Sequence, residues 1–351
     1  MKEWSDEKGD DAHFMQRCIA LAYKGGKKTL SNPWVGAVLV HNGNIIGEGY
    51  HQEFGQAHAE VNALQSVRHH NRHLIPQATL YVSLEPCAHT GKTPPCSQRI
   101  IDEGIKKVVI GCIDPNTKVA GKGVQHMRSC GIYVSYPTME KEALQLIAKY
   151  RANLVGLPFI ILKWAQSADN YISVAGKQVW LSNDYTKILT HKWRAEVDAI
   201  LVGSQTVIID NPRLDIREYQ GTDPIRIILN TKGDLSPDVK VLNDTRATII
   251  VNQEKESLYV NKEYLKVDDM YDLKELMKIL FQKGINSVLV EGGQKVLNSF
   301  ISQGIWHEAR IIKTQKILTD GIASPNLEGH LLKTSQMGDD NIYYITNPDQ
   351  I

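Results

Sequence analysis

The stretch Leu84-Glu85-Pro86-Cys87-Ala88-His89-Thr90-Gly91-Lys92-Thr93-Pro94-Pro95-Cys96 decides the reading of this 351-residue chain. It follows an apolar run, Ala78 to Leu84, that reads as a strand, and it leads into Cys96 to Ile105, which has helical spacing. Two thiols in a proline-rich loop between a strand exit and a helix start have the setting of metal ligands. A third donor lies upstream in His58-Ala59-Glu60, where a helical stretch running to Val67 begins. His58, Cys87 and Cys96 form a thiolate–imidazole set that suits zinc, and three protein ligands leave a fourth position open. Glu60, two residues past His58, is placed to move protons beside that open position without binding the metal.

His-x-Glu followed by Pro-Cys is similar to the signature of the zinc nucleobase deaminases, in which two cysteines stand two residues apart. Here eight residues separate Cys87 from Cys96, and they include a histidine, a glycine and Thr93-Pro94-Pro95. In this loop the chain closely resembles the bifunctional deaminase–reductases of riboflavin biosynthesis. The resemblance extends through Asn32-Pro33-Trp34-Val35-Gly36 and Asp114-Pro115-Asn116, with Thr117 where a second proline is common. It implies that Asn32, His51, His89 and Lys92 contact the substrate, Lys92 as a cation for its phosphate. The remaining histidines have plainer readings. His69, His70 and His73 fall in a polar loop with Asn71 and Arg72, and His13 and His126 read as surface helix residues.

Outward from the loop, the first half alternates strands and helices. Residues 11–24 are helical in spacing, and Val35 to Val40 joins Ile45-Ile46 through the tight turn His41-Asn42-Gly43-Asn44. After the loop come a strand (Lys107 to Cys112), a helix (Gly121 to Cys130), a strand (Ile132 to Ser135) and a helix (Met139 to Tyr150). This order predicts a three-layer α/β/α domain over residues 1–153, which the resemblance makes cytidine-deaminase-like. Leu154-Val155-Gly156-Leu157-Pro158 marks the expected boundary. Cys18, Cys112 and Cys130 read as small buried hydrophobes, and five cysteines do not suggest a disulfide framework.

A second alternation occupies residues 154–351. Phe159 to Ala165, Ala199 to Gly203, Ile225 to Asn230, Ala247 to Val251 and Ser287 to Glu291 read as buried strands. Helices are expected near Asn183 to Ala195, Asp272 to Gln282 and Gln294 to Ser302, and Ala309 to Lys313 is expected as an antiparallel edge. No G-x-G-x-x-G opens a helix. Instead, Glu291-Gly292-Gly293 runs from a strand into a helix, a turn that lets backbone amides approach a pyrophosphate. Lys163-Trp164-Ala165-Gln166-Ser167, Asp169, Trp180, Arg194-Ala195, Asp198 to Gly203, Thr206-Val207 and Asp210-Asn211-Pro212 resemble, in order, the reductase domain of the same family. The resemblance implies a dihydrofolate-reductase-like α/β fold that binds NADPH. It assigns cofactor contacts to Ala165, Trp180, Thr206, Asp210 (closing a strand), Gly292 and Gly293. It assigns substrate contacts to Gln178, Arg194, Leu214, Arg217 and Glu291. Guanidinium forks at Arg194 and Arg217 suit a ribose phosphate. Ala168, Asn170, Gln178 and Gln205 depart from the usual leucine, glycine, serine and glycine.

Charge and composition limit the alternatives. Lys plus Arg total 40 against 39 Asp plus Glu, so no phosphate-backbone partner is indicated. No apolar run approaches the ~20 residues of a membrane helix. The polar, acidic start Met1-Lys2-Glu3-Trp4-Ser5-Asp6-Glu7 is unlike a targeting peptide, so a cytoplasmic protein is expected. The expected partner is a small phosphorylated pyrimidine, with one zinc per chain and NADPH as cofactors, in a homo-oligomer, dimer or tetramer. Two rival readings stay open. A tRNA or cytidine deaminase with an unrelated C-terminal domain predicts a short Cys-x-x-Cys and, for tRNA, a basic face. A structural zinc site predicts a fourth protein ligand.

Overall fold

The structure, a computed structural model, describes residues 8–89, 94–174, 176 and 179–348. Lys92 and Gln178 lie outside the described residues. The chain divides between Leu154 and Val155 into two compact units.

Side-chain alternation across the strands builds the first unit. β1 (Gly36–His41) and β2 (Asn44–Tyr50) form a hairpin whose turn residues, Asn42 and Gly43, both have positive φ (49° and 74°). That is the backbone a two-residue hairpin requires, and Asn-Gly accepts it readily. With β3 (Thr79–Leu84), β4 (Lys107–Cys112) and β5 (Tyr133–Ser135) they make a five-stranded sheet of order β2-β1-β3-β4-β5. β1 is antiparallel to both neighbours, while β3, β4 and β5 run parallel. Ala37, Leu39, Leu80, Val82, Val108 and Ile110 point to one face. There they pack with α2 (Ala59–Ser66), α3 (Cys96–Asp102) and α4 (Lys122–Ser129). The alternate residues Val38, Val40, Tyr81 and Val109 meet α1 (Lys8–Ala22) and Leu146 of α5 (Glu140–Leu146) on the other face. The result is the expected three-layer arrangement.

In the second unit, β6 (Phe159–Gln166), β8 (Ala199–Gly203), β9 (Ile225–Leu229), β10 (Thr248–Asn252), β12 (Lys262–Lys266), β13 (Ser287–Gly292) and β14 (Glu308–Lys313) form the parallel part of a ten-stranded sheet. Its order is β11-β12-β10-β9-β8-β13-β6-β14-β17-β16, with β11 (Ser257–Leu258), β16 (His330–Met337) and β17 (Asp340–Thr346) antiparallel to their neighbours. β7 (Tyr171–Ser173) and β15 (Ile322–Ala323) make a separate two-stranded ribbon. α9 (Leu273–Gln282) and α10 (Gln294–Ser302) cover one face through Leu276, Met277, Leu280, Leu297 and Phe300. α7 (Asp184–Ala195) and α8 (Ser204–Asp210) cover the other through Leu189, Trp193 and Val207. Both faces of the central strands are therefore apolar, as a parallel sheet demands.

Several expectations are corrected. The strand near Ala309 to Lys313 is no antiparallel edge: β14 runs parallel to β6, and the β16–β17 hairpin extends the sheet beyond it. The helix expected over Met139 to Tyr150 is two, α5 and α6 (Ala148–Leu154), because Ile147 leaves helical geometry (φ −100°, ψ 15°) and both Leu146 and Ile147 are buried. Asp210 ends helix α8 rather than closing a strand, with Asn211 at φ 40° stopping the helix. Cys18 and Cys112 are buried, but Cys130, at the end of α4, is exposed. His69 and His73 belong to a short 3-10 stretch, His69–Gln77. No helix among the described residues is long and apolar enough to cross a membrane.

Candidate functional sites

Helix starts and a strand exit assemble the first site. His58 is the N-cap residue of α2, with extended backbone (φ −72°, ψ 168°), and Cys96 is the first residue of α3. Cys87 follows β3 and is tied back to α3 by Ser97 N–H donating to Cys87 O at 3.1 Å. His58 Nδ1 lies 3.7 Å from Cys87 Sγ and 3.4 Å from Cys96 Sγ. A tetrahedral zinc with ordinary Zn–N and Zn–S bonds places such atoms about 3.6 Å apart, so the donor set fits this ion. His58, Cys87 and Cys96 are the cluster of metal-donor side chains that converges among the described residues.

The charges around this set suit a cation. The Cys96 hydrogen bond, against the burial penalty, holds Cys87 as a thiolate with a pKa of about 4, while the same contact and burial raise Cys96. The hydrogen bond to Cys87 raises His58 despite burial. Glu60, in the first turn of α2, is buried, and burial pushes its carboxyl up to about 7, against the lowering effect of His58. It lies within hydrogen-bonding reach of Cys96. His51 is also buried and packs edge-on against His58, with ring centroids 5.6 Å apart. Its Nδ1 meets Ala57 O at 3.1 Å and its Nε2 meets Asn32 Nδ2 at 3.0 Å. A carbonyl only accepts and an amide nitrogen only donates, which assigns the neutral tautomer with the proton on Nδ1. Burial lowers the His51 pKa, consistent with that state. Asn32 and His51 thus form one unit beside the metal donors, whereas His89 is exposed.

The second site lies along the carboxyl ends of parallel strands, where open α/β sheets bind their ligands. β13 sits between β8 and β6, so Glu291-Gly292-Gly293, the start of α8 and Ala165 share that edge. Gly292 has φ +99°, a conformation that favours glycine. A Cβ on Gly293 would stand 3.5 Å from Thr206 Oγ1, so Thr206 faces the glycine turn. Asp210 lies one helix length away at the end of α8, its carboxyl raised by burial. Trp180 is exposed, and its carbonyl accepts from Lys316 Nζ at 2.6 Å.

Arg194 and Glu291 are brought together, chiefly onto each other. Arg194 Nε and Nη2 each donate to a Glu291 oxygen at 2.7 Å, in a bidentate pair that is nearly buried. Arg194 Nη1 donates to Asp215 O at 3.1 Å, and the Asp215 carboxylate holds Arg217. Arg194 is therefore committed to a carboxylate, and Arg217, more exposed, pairs with Asp215 and Glu218. Leu214 is buried in the apolar cluster under α8, with its backbone at φ 54°. Sequence reasoning passed over Lys163 as a site residue. It lies on β6 next to the Leu162–Val290 pairing, where burial lowers its pKa and Glu291 opposes that shift. A lysine in the middle of an apolar strand was the available signal.

Comparison with known proteins identifies both units. Residues 8–112 match the cytidine and deoxycytidylate deaminase zinc-binding region, and residues 158–342 match the RibD C-terminal domain. The riboflavin biosynthesis protein RibD of Aquifex aeolicus is 37% identical over 326 residues, covering 90% of each chain. A crystal structure from Thermotoga maritima is 34% identical, with a TM-score of 0.84 and 97% and 99% of the two chains covered. It is described as a diaminohydroxyphosphoribosylaminopyrimidine deaminase/5-amino-6-(5-phosphoribosylamino)uracil reductase. Acinetobacter baumannii RibD is 31% identical with a TM-score of 0.80 over the same shares. With a zinc-binding deaminase unit followed by a reductase unit, the chain belongs to the RibD family of bifunctional riboflavin-biosynthesis deaminase–reductases.

Proposed function

We propose that the first unit, residues 1–154, deaminates 2,5-diamino-6-(5-phosphoribosylamino)pyrimidin-4(3H)-one to 5-amino-6-(5-phosphoribosylamino)uracil, using one zinc per chain. The second unit, residues 155–351, then reduces the ribosyl group to ribityl with NADPH, giving 5-amino-6-(5-phosphoribitylamino)uracil. The observation that carries this reading is the convergence of His58, Cys87 and Cys96 beside the buried Glu60. It rests equally on the family to which both units belong.

His58, Cys87 and Cys96 would hold the zinc, which when bound activates water for attack at neutral pH. Glu60 takes one proton from the attacking water and passes it to the ring nitrogen, then takes the proton of the added hydroxyl as the carbonyl forms and passes it to the amine, which leaves as ammonia. A carboxyl poised near neutrality can both accept and give that proton. Asn32 and the neutral His51 offer fixed hydrogen-bonding groups for orienting the pyrimidine. In the second unit, the glycine turn at Gly292-Gly293, with Thr206, would receive the cofactor phosphates, and the nicotinamide supplies the hydride. Ring opening of the aminosugar exposes the carbon that accepts the hydride. As hydride adds to that carbon, the nitrogen of the opened C=N bond takes a proton; we assign its delivery to Lys163, whose ammonium is disfavoured by burial, and substrate orientation to the Arg194–Glu291 pair and Arg217.

Purified protein given the diaminopyrimidine decides between this and other readings. Ammonia release should begin without NADPH, and NADPH oxidation should follow it one for one. NADPH oxidation without prior ammonia release, or turnover of cytidine in preference to the phosphoribosylaminopyrimidine, would contradict the proposal.

A further inference from the structure

Glu85 precedes the ligand Cys87 by two residues, and its buried carboxylate is filled with backbone donors. Oε2 accepts from Asp114 N–H at 3.2 Å and Gly121 N–H at 2.9 Å. Oε1 accepts from Gly123 N–H at 2.9 Å and Val124 N–H at 3.1 Å. These four bonds use the acceptor capacity of a carboxylate. Three of the donors belong to the start of α4, whose helix dipole favours a negative charge there. Glu85 N–H itself donates to Cys112 O at 3.0 Å, so its main chain is pinned to the end of β4.

The helix held by this carboxylate presses on the metal-binding segment from two sides. A Cβ on Gly123 would stand 2.0 Å from Pro86 O, so α4 rests directly on the backbone between Glu85 and Cys87. One turn on, His126 Nδ1 meets Ser97 Oγ at 3.1 Å, and Ser97 neighbours Cys96 and donates its N–H to Cys87 O. Both thiol-bearing segments are thus braced by one helix, and one carboxylate anchors that helix. We propose that Glu85 is a positioning residue for the zinc centre, fixing Cys87 relative to His58 and Cys96 through α4. The inference rests on the assignment of these three residues as zinc ligands.

The test compares parent and Glu85→Gln proteins, each loaded with zinc and, separately, with cobalt(II). Glutamine keeps the shape but turns an NH2 toward backbone N–H groups. Zinc loss to a chelator should accelerate by about 10- to 100-fold, the usual cost of removing an outer partner of a ligand. The thiolate-to-cobalt and d–d absorption bands should shift, and deaminase kcat should fall more than KM rises. The circular dichroism spectrum and the protease resistance of residues 1–154 should match the parent's, showing that the first unit is folded, and reduction of the already deaminated substrate should stay at the parent rate. A folded Glu85→Gln protein with the parent's release rate and cobalt spectrum would overturn the proposal, leaving Glu85 as a fold anchor only. Gly123→Ala forces α4 off Pro86 from the opposite side and should give the same faster release and shifted bands. If Glu85→Gln does not fold, parent-like values in Gly123→Ala overturn the proposal. Failure of the parent to bind zinc would instead remove the ligand assignment beneath it.

Discussion

The two units each bury a glutamate at the centre of their site, and the two carboxyls are driven in opposite directions. Burial pushes Glu60 up to about 7, with only modest help toward ionisation from His58. Burial works the same way on Glu291, yet Arg194 and Lys163 overcome it and hold that carboxyl at about 2. The first site sets a raised carboxyl beside two thiols and an imidazole, a donor set that suits a cation. The second neutralises its own carboxylate with a bidentate guanidinium, so it is finished before any ligand arrives. On the proposed function, one site serves proton transfer beside a metal. The other is built for rigid placement of two organic reactants.

The sharpest way to break this contrast is to remove each carboxylate in turn. Glu60→Gln keeps all three metal donors, so zinc content should be unchanged while deamination falls by ~10²–10⁴. Metal analysis and ammonia release on the same sample check both halves. Zinc-stripped Glu60→Gln should also be more heat-stable than the stripped parent above pH 7. The sign follows from the raised carboxyl: the parent's folded state disfavours ionisation, so its penalty grows from about pH 4.5 to 7 and is complete above that. Thermal melts at pH 5 and pH 8 should show the difference only at the higher pH.

Glu291→Gln should do the reverse. It leaves the Arg194 guanidinium without its charge partner in a nearly buried setting, and stability should drop by about 3 kcal/mol at neutral pH. Because the folded carboxyl is depressed, the stability it contributes is present above the unfolded value of about 4.5 and is lost as pH falls toward 2. The variant and parent should therefore converge in acid, in denaturant titrations at pH 7 and pH 3. Reduction should suffer and deamination should not. At the small end, Cys130→Ser should change stability by no more than about 0.5 kcal/mol and neither activity, because that thiol is exposed.

The same contrast explains what could be read from the sequence. The convergence of His58, Cys87 and Cys96 was legible because these donors sit in short motifs that carry their own backbone geometry, a helix cap for His58 and a helix start for Cys96. The role of Glu85 was not, since its partners are main-chain N–H groups of residues 114–124, and a backbone donor leaves no mark in composition. In the second unit, Arg194 and Glu291 each stood out by resemblance, but nothing local shows that residues 97 apart clasp one another. The apolar central strands were predictable from their continuous hydrophobic runs. The β16–β17 hairpin was not: β16, with Lys333, Thr334, Ser335 and Gln336, lies at the sheet margin, is mostly exposed and has the composition of a loop. That omission made β14 look like an edge. Likewise, α8 is too short for periodicity to reveal it, so Asp210 was placed on a strand.

Stripping zinc from the intact chain and assaying its two half-reactions separately tests the central claim of two chemically distinct sites most directly. Removal by chelator should abolish ammonia release from the diaminopyrimidine and leave NADPH-dependent reduction of the deaminated product at its original rate, and added zinc should restore the first activity. Deamination that survives complete zinc removal, or reduction that is lost with the zinc in a protein that remains folded, would contradict the account.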